Sequence, residues 1–376
     1  MSKAHDGVTP DDARAELRSM IADSVAKLFS DHVTPELLQA CATGHPPAEL
    51  WRLVEENGLA AAAGADAGSP TFADAYPIFH AVGYWQAPVP LLETAVGNYF
   101  LAKGGIALPG GMGTIATHVQ IQPSTFYLFG DAWHIDGAVK HVPWGRSAEW
   151  LLSSMPHNST IALFRLEGSL ITVEAGHNLA GEPRDTLVFE ELNSIATARP
   201  GWTAHPHTLM VHLALAKAIA MVGALECCMN RTLTHVAQRV QFGRQLAKFQ
   251  AIQHSLAEMA GLVAAARMAT RVAADSAERL HNDPDAWRQF CFDTAVAKVR
   301  AGEAATRSVW IVHQLHGAIG FTQEHPLHFA TKRLISWRSE YGSDAWWAQR
   351  LGRAAIELGA KGFWPALTNR DLVLEL

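Results

Sequence analysis

The sequence predicts an α+β fold in three consecutive zones: helical, then β, then helical again in longer helices. Three observations carry that reading. Apolar residues recur at helical spacing before about residue 104, short β-rich stretches crowd between about 112 and 197, and from His207 onward a 4-3 spacing of apolar and small residues persists over five turns. The zones imply an N-terminal α-helical domain at 1–110, a middle β-barrel domain at 111–202 and a C-terminal four-helix-bundle domain at 203–376. A chain of 376 residues, 49% of them hydrophobic, is long enough for two or three domains with a sizeable core.

The first zone opens with Ala13 to His32, where Leu17, Ile21, Val25 and Leu28 fall on one helical face. Pro47 starts a second helix that Gly58 stops, with Leu50, Leu53 and Val54 facing inward. Tyr76 to Ala102 reads as further helix, broken at Pro88 and Pro90. The β stretches are Thr114–Gln120, Thr125–Phe129, Trp133–Asp136, Leu151–Ser154, Ile161–Leu166, Leu170–Glu174 and Thr186–Glu190. Turns are expected at Asp136-Gly137, His157-Asn158 and Glu167-Gly168, so the zone reads as a small barrel or sandwich. In the third zone Leu209, Leu213, Ala216, Ala220, Gly223 and Cys227 keep the 4-3 spacing, and the small residues admit close approach of another helix. A second long helix is expected from Ala251 to Leu280. A third follows the cap Asn282-Asp283-Pro284 and runs to His313, with Gly317 ending it; a fourth runs from about Pro326 to about Leu358.

The net charge of -6, from 36 acidic and 30 basic residues, is scattered, and no Lys/Arg block points to nucleic acid or an anionic membrane. No apolar stretch reads as approaching the roughly 20 residues of a membrane span, and Met1 to Val8 reads as no signal peptide, so a soluble, cytoplasmic protein is expected. Cys41, Cys227, Cys228 and Cys291 form no C-x-x-C pair and read as inert thiols. His313, His316, His325 and His328 recur at i,i+3, but no Cys or carboxylate set completes a site, so no metal is expected.

Two local patterns concentrate the chemistry. The first is Arg239-Val240-Gln241-Phe242-Gly243-Arg244-Gln245-Leu246, followed by Phe249-Gln250. It falls between two long helices. Arg239 offers a planar charged fork for a pyrophosphate, Gly243 permits a turn, and Phe242 offers an aromatic face. The second is Gln314-Leu315-His316-Gly317-Ala318-Ile319-Gly320-Phe321, followed by His325-Pro326. Gln314 supplies an amide, and Gly317 and Gly320 let backbone approach a ligand without a Cβ. An Arg at a helix end is more often a solvated charge balancing the helix dipole; the two patterns together weigh against that.

Both patterns resemble signatures of the acyl-CoA dehydrogenases, and so do Trp51-Arg52 to Gly58-Leu59 and Gly83 to Leu92. The resemblance implies FAD as cofactor, an acyl-CoA substrate and an acceptor of the electron-transfer flavoprotein type. It also implies a site shared between subunits, in which Arg239, Gln241, Phe242, Gln250, Gln314, Leu315, Gly317 and Ala318 reach a neighbour's FAD. Ala318 stands where the family usually has a second glycine.

The departures from the family lie elsewhere. Its catalytic carboxylate often sits in a Tyr-Glu-Gly-Thr run; here the same position reads Tyr341 within Ser339-Glu340-Tyr341-Gly342-Ser343, with Glu340 one residue early. On a continuing helix one residue is about 100° of rotation, so Glu340 is a weak candidate for the base. The family's alternative base position reads Leu213, beside a His212 expected on the helix surface. A Phe-Asp-x-x-Arg patch for the thioester reads Val211 and Ala214 at its charged positions. The flavin-packing Trp turn becomes His141-Val142-Pro143-Trp144-Gly145-Arg146, where Trp144 retains a ring for stacking. This asymmetric loss resembles the heteromeric α2β2 dehydrogenases of the steroid-side-chain branch. It implies a homologous partner subunit that brings the base, while this chain completes the FAD site. The alternatives are a self-sufficient homotetramer using Glu340 or another carboxylate, and a non-catalytic helical scaffold. Subunit contacts are expected on the C-terminal helices, at Trp337, Trp346 and Trp347 or on the Ala216, Ala220 and Gly223 face, although both groups also suit the chain's own core.

Overall fold

The computed structural model describes residues 10–61, 71–117, 126–129, 132–155, 160–199 and 205–376. The N-terminal helices are α1 (Pro10–His32), α2 (Pro35–Ala42), α3 (Ala48–Glu56), α4 (Tyr76–Trp85) and α5 (Leu91–Lys103). Thr34 caps α2, its hydroxyl accepting from Leu37 N, and Pro35 occupies the first helical turn, where a missing N–H costs nothing.

Among the described residues eight strands follow: β1 (Gly113–Ala116), β2 (Phe126–Phe129), β3 (Ala132–Pro143), β4 (Trp150–Ser154), β5 (Ile161–Arg165), β6 (Ile171–Glu174), β7 (Arg184–Asn193) and β8 (Ala196–Ala198). They form two four-stranded sheets, ordered β1-β4-β5-β8 and β2-β3-β7-β6. Phe126, Ile135, Val139, Leu151, Phe164, Leu187 and Phe189 fill one core between them. The pair at Asp136-Gly137 does not end a strand: Gly137, at φ 92°, carries a register shift inside the long β3. The expected turn at His157-Asn158 lies outside the described residues.

The C-terminal helices are α6 (Thr208–Gln238), α7 (Gln250–Asn282), α8 (Trp287–His316), α9 (Leu327–Ser339) and α10 (Asp344–Asn369). Between α6 and α7 lies a hairpin of β9 (Val240–Gln241) and β10 (Arg244–Gln245). The fourth expected helix is two. It stops at Ser339, the chain turns through Tyr341 and Gly342 at positive φ, and Ser343 caps α10 by accepting from Trp346 N. α6 has the length and apolarity of a membrane span, contrary to the sequence expectation, but the apolar stretch is wholly buried within this chain. Its small-residue face packs against α4: a Cβ at Gly223 would fall 2.0 Å from His80 O, and one at Gly83 would fall 1.7 Å from Ala220 O. That face is therefore intramolecular packing. Trp337 and Trp347, at 2% and 0% exposure, likewise belong to the chain's own core rather than to an exposed surface.

Candidate functional site

The two motifs meet at one end of the helical bundle, where α6 and α8 finish. His235 in the last turn of α6 stacks on His316 in the last turn of α8, ring centroids 4.4 Å apart. Arg239 leaves the helix in extended conformation, and its carbonyl accepts from Leu246 N at 2.9 Å, closing the loop. Within that loop β9 pairs with β10, Gln241 opposite Arg244, so Phe242 and Gly243 form a two-residue hairpin turn. Both have positive φ, 53° and 78°. Such turns match the twist of the flanking strands and require this conformation at both residues. The turn projects Phe242 outward at 89% exposure.

Arg239, Gln241, Gln250, Gln314, Gly317 and Ala318 are also exposed, while Leu315 is buried and anchors its segment. Gly317 adopts φ 62°, ψ -145°, a region essentially reserved for glycine, with nothing within 4 Å of a built Cβ. Arg244 is held locally, its guanidinium 4.1 Å from the Phe249 ring. The arrangement fits one end of a dinucleotide: an exposed guanidinium, an aromatic ring on a stiff turn, three amides, and backbone unobstructed by a side chain. Among the described residues no group of three His, Cys, Asp or Glu gathers to hold a metal ion.

The second region is a cavity of about 540 Å³ between the β sheets and the bundle, bordered by Thr117, His141, Pro143, Met210, Glu340 and Tyr341. Because α9 has ended, helical rotation does not decide the role of Glu340, as the sequence reading assumed; its partners do. Its Oε1 accepts from Arg184 Nη2 at 2.6 Å, Arg184 Nε at 2.9 Å and Asn178 Nδ2 at 3.2 Å, and its Oε2 lies 3.1 Å from Lys217 Nζ. Lys217 also pairs with Glu93 at 3.4 Å, and the Tyr341 hydroxyl donates to the same Glu93 oxygen at 3.0 Å. Glu182 accepts from Arg333 at 3.0 Å, the Trp337 indole at 2.8 Å and Arg184 at 3.2 Å. Three carboxylates and three cations thus balance, drawn from α5, the β6–β7 connection, β7, α6, α9 and the turn after it.

Burial opposes the charges of Glu182, Arg184, Lys217 and Glu340, and pairing overcomes it. Arg333 and Arg184 hold Glu182 down to about 2. Arg184 and Lys217 hold Glu340 below the usual carboxylate range. Glu340 and Glu93 raise Lys217. Burial, then Glu93, pushes the Tyr341 phenol well up. Lys298 stands behind the turn, donating to the carbonyls of Trp337 and Glu340 at 3.3 and 2.7 Å; burial draws its ammonium down to about 7. A carboxylate with depressed proton affinity, whose Oε1 accepts three hydrogen bonds and whose Oε2 makes none but is ion-paired with Lys217, is a poor acceptor for a carbon-bound proton.

Other expected residues fall as follows. Leu213, Val211 and Ala214 are fully buried and offer no polar group. His212 is a core histidine, not a surface one: its ring packs on Phe72, Phe100 and Phe290, its Nδ1 donates to Thr208 O at 2.8 Å, and burial lowers it to about 4. Trp144, 6% exposed, borders a different cavity of about 740 Å³ with Cys41, His45 and Arg146, and is not on the wall beside Glu340. Sequence reasoning missed the ionic cluster, whose members are separated by up to about 250 positions and follow no periodicity.

Known proteins resemble the chain in sequence and in shape. Residues 200–356 match the family described as acyl-CoA dehydrogenase, C-terminal domain. The acyl-CoA dehydrogenase IpdE2 of Mycolicibacterium smegmatis is 26% identical over 331 residues, 85% of this chain and 92% of that protein. Its counterpart in Mycobacterium tuberculosis is 28% identical over 334 residues, 85% of this chain and 91% of that protein. A chain of a variant of the Tcur3481–Tcur3483 steroid acyl-CoA dehydrogenase superposes with a TM-score of 0.79 at 25% identity, over 90% of this chain and 98% of that one. A chain of the Mycobacterium tuberculosis ChsE4–ChsE5 complex gives 0.78 at 21% identity, over 92% and 98%.

Proposed function

The chain belongs to the acyl-CoA dehydrogenase family, and from that premise we propose that it completes the FAD site of a homologous partner subunit that carries the catalytic carboxylate. The observation that carries this reading is a separation. Lys217 lies 21 residues before Gln238, the last residue of α6, about 32 Å along the axis at 1.5 Å per residue, and Arg239 follows directly. The nucleotide motif therefore stands a helix length from this chain's own cleft and faces outward, where a neighbour's cofactor is the group it serves.

FAD, when bound, supplies the hydride acceptor for α,β-desaturation of an acyl-CoA thioester. Arg239 holds pyrophosphate charge, Phe242 covers a ring, and the Gln314 to Ala318 segment brings amide and open backbone to the cofactor. The Glu340 cluster holds this chain's own cleft closed to proton abstraction. The heteromeric structures named above support a two-subunit assembly. The resemblance to IpdE2 and to a steroid acyl-CoA dehydrogenase supports a substrate among acyl-CoA thioesters of lipid or steroid breakdown, and an acceptor of the electron-transfer flavoprotein type.

The self-sufficient homotetramer differs in one testable respect. Glu340→Gln, assayed in the assembled complex at matched FAD content, is expected to keep activity within a few-fold. Removing a true general base costs roughly 10²–10⁴-fold, and a loss of that size would return Glu340 to the role of base.

A further inference from the structure

Beneath the exposed motifs, three imidazoles pack against one another. His235 lies over His316 at 4.4 Å, and His325 meets His316 edge-on at 4.9 Å. The hydrogen bonds of His316 and His325 fit the neutral form. His316 Nδ1 donates to Val312 O at 2.7 Å, leaving a buried Nε2 with no partner. His325 Nδ1 accepts from Leu327 N at 3.2 Å, so its proton sits on Nε2. The charges acting on the stack are all basic or imidazole: Arg231 and Arg239 at the end of α6, His313 on α8 and His328 on α9. Glu324, next to His325, is exposed and is not among them. Burial first, then these neighbours, hold His235 and His325 below the ordinary imidazole range, and His316 at about 4.

Beside the stack lies a cavity of about 360 Å³ walled by Asn230, Arg231, Thr234, His235, Gln238 and His325. None of those side chains is acidic, and while Thr234 already donates to Asn230 O at 3.0 Å and Asn230 to the Tyr84 hydroxyl at 3.1 Å, Arg231, His235, Gln238 and His325 carry further N–H donors. Arg231 uses one N–H on Pro326 O, at 2.8 Å, and a guanidinium has five. The C-termini of α6 and α8 also favour cationic imidazole. Such a group of neutral imidazoles, short only of a counter-charge, takes up a proton when an anion arrives.

We propose that Arg231, His235 and His325, with His316 acting through the stack, form a proton-coupled binding site for a pyrophosphate diester, adjoining Arg239. This rests on the reading of Arg239 as one half of a cofactor site, and deepens it: cofactor retention is linked to pH through these positioning residues. The sign follows from charge. An anion favours imidazolium, so binding tightens as pH falls through the imidazole range.

The test titrates the purified full chain with ADP-ribose, whose pyrophosphate is a diester and does not itself titrate near neutrality, by calorimetry at about pH 6 and about pH 8. Affinity is expected to be at least about tenfold greater at the lower pH, with proton uptake seen as a dependence on buffer ionisation heat. His235→Gln and His325→Gln should each reduce that pH dependence, while Arg239→Ala should weaken binding at both pH values and leave it tighter at the lower one. Equal affinity at the two pH values, or an unchanged slope in the histidine variants, would overturn the site. Should a variant fail to fold, the wild-type imidazole signals decide: ADP-ribose must raise their titration midpoints by about a unit or more, and unchanged midpoints would overturn the proposal. The two readings separate cleanly. ADP-ribose binding with proton uptake, alongside a complex that never holds FAD, sustains the site and sinks the cofactor reading. FAD held by the complex with pH-independent affinity does the reverse.

Discussion

The two ends of the catalytic apparatus in this chain are built in opposite ways. At the bundle end Phe242 on its hairpin turn, Arg239 just past the end of α6 and Gln314 in the last turn of α8 all stand in solvent. In the cleft Lys217 and Glu182 are buried, Glu340 keeps only 16% of its side chain exposed, and all three are held in ion pairs. An exposed, preorganised surface costs the fold little and is useful only when something docks. A buried ionic cluster is of no use for taking a proton, because each member is committed to another, yet the fold depends on it. The difference separates residues left exposed at the surface from residues committed to this chain's own architecture.

The sharpest way to break the comparison is to remove one member of the cluster. Glu182→Ala leaves the Arg333 and Arg184 guanidiniums and the Trp337 indole without their shared acceptor. A loss of about 3–5 kcal/mol is expected in chemical denaturation. Arg239→Ala should stay within about 0.5 kcal/mol in the same experiment, being an exposed position outside the core. Similar losses at the two positions would erase the contrast.

Acid sharpens it next. Glu182 is held down to about 2, below the roughly 4.3 of an unfolded glutamate. A group with a depressed folded value contributes stability that is present above the unfolded value and lost as pH falls through the folded one. The isolated chain should therefore lose stability as pH falls from about 4 towards 2. Glu182→Gln should flatten that limb of the pH–stability curve. An unchanged limb would mean that the cluster does not hold the carboxylate ionised.

At the bundle end the expected effect is on cofactor and not on folding. Arg239→Ala should weaken FAD retention in the assembled complex by about tenfold or more, the 1.5–3 kcal/mol typical of a contact to a charged group. Arg244→Ala should do less, because that guanidinium already lies over Phe249. Equal flavin content in the two variants would remove the assignment of Arg239.

The bundle-end motif was legible in the sequence because its residues are contiguous and their types dictate their geometry. Gly243 calls for a turn, Gly317 permits a conformation other residues avoid, and Arg239 follows the last apolar turn of a helix. The helix order was legible from periodicity alone, and α2 was signalled, though missed, by Thr34-Pro35. The break at Glu340 to Ser343 was not legible. Trp337, Trp346 and Trp347 continue an aromatic pattern across it, and only tertiary packing shows that Trp337 and Trp347 approach one core from two helices. Nor was the ionic cluster, since Glu93, Glu182, Lys217 and Glu340 become neighbours only once all three zones have assembled. His212 was misplaced for a related reason: its aromatic neighbours Phe72, Phe100 and Phe290 come from three distant segments.

The central claim is that this chain lends its cofactor motif to a partner and does not fill its own cleft. Flavin absorbance of the purified chain, measured alone and after co-expression with a homologous subunit carrying the family's carboxylate, tests it most directly. The account predicts no retained flavin for the chain alone, and stoichiometric flavin with dehydrogenase activity for the pair. Stoichiometric flavin and activity in the chain by itself would contradict it.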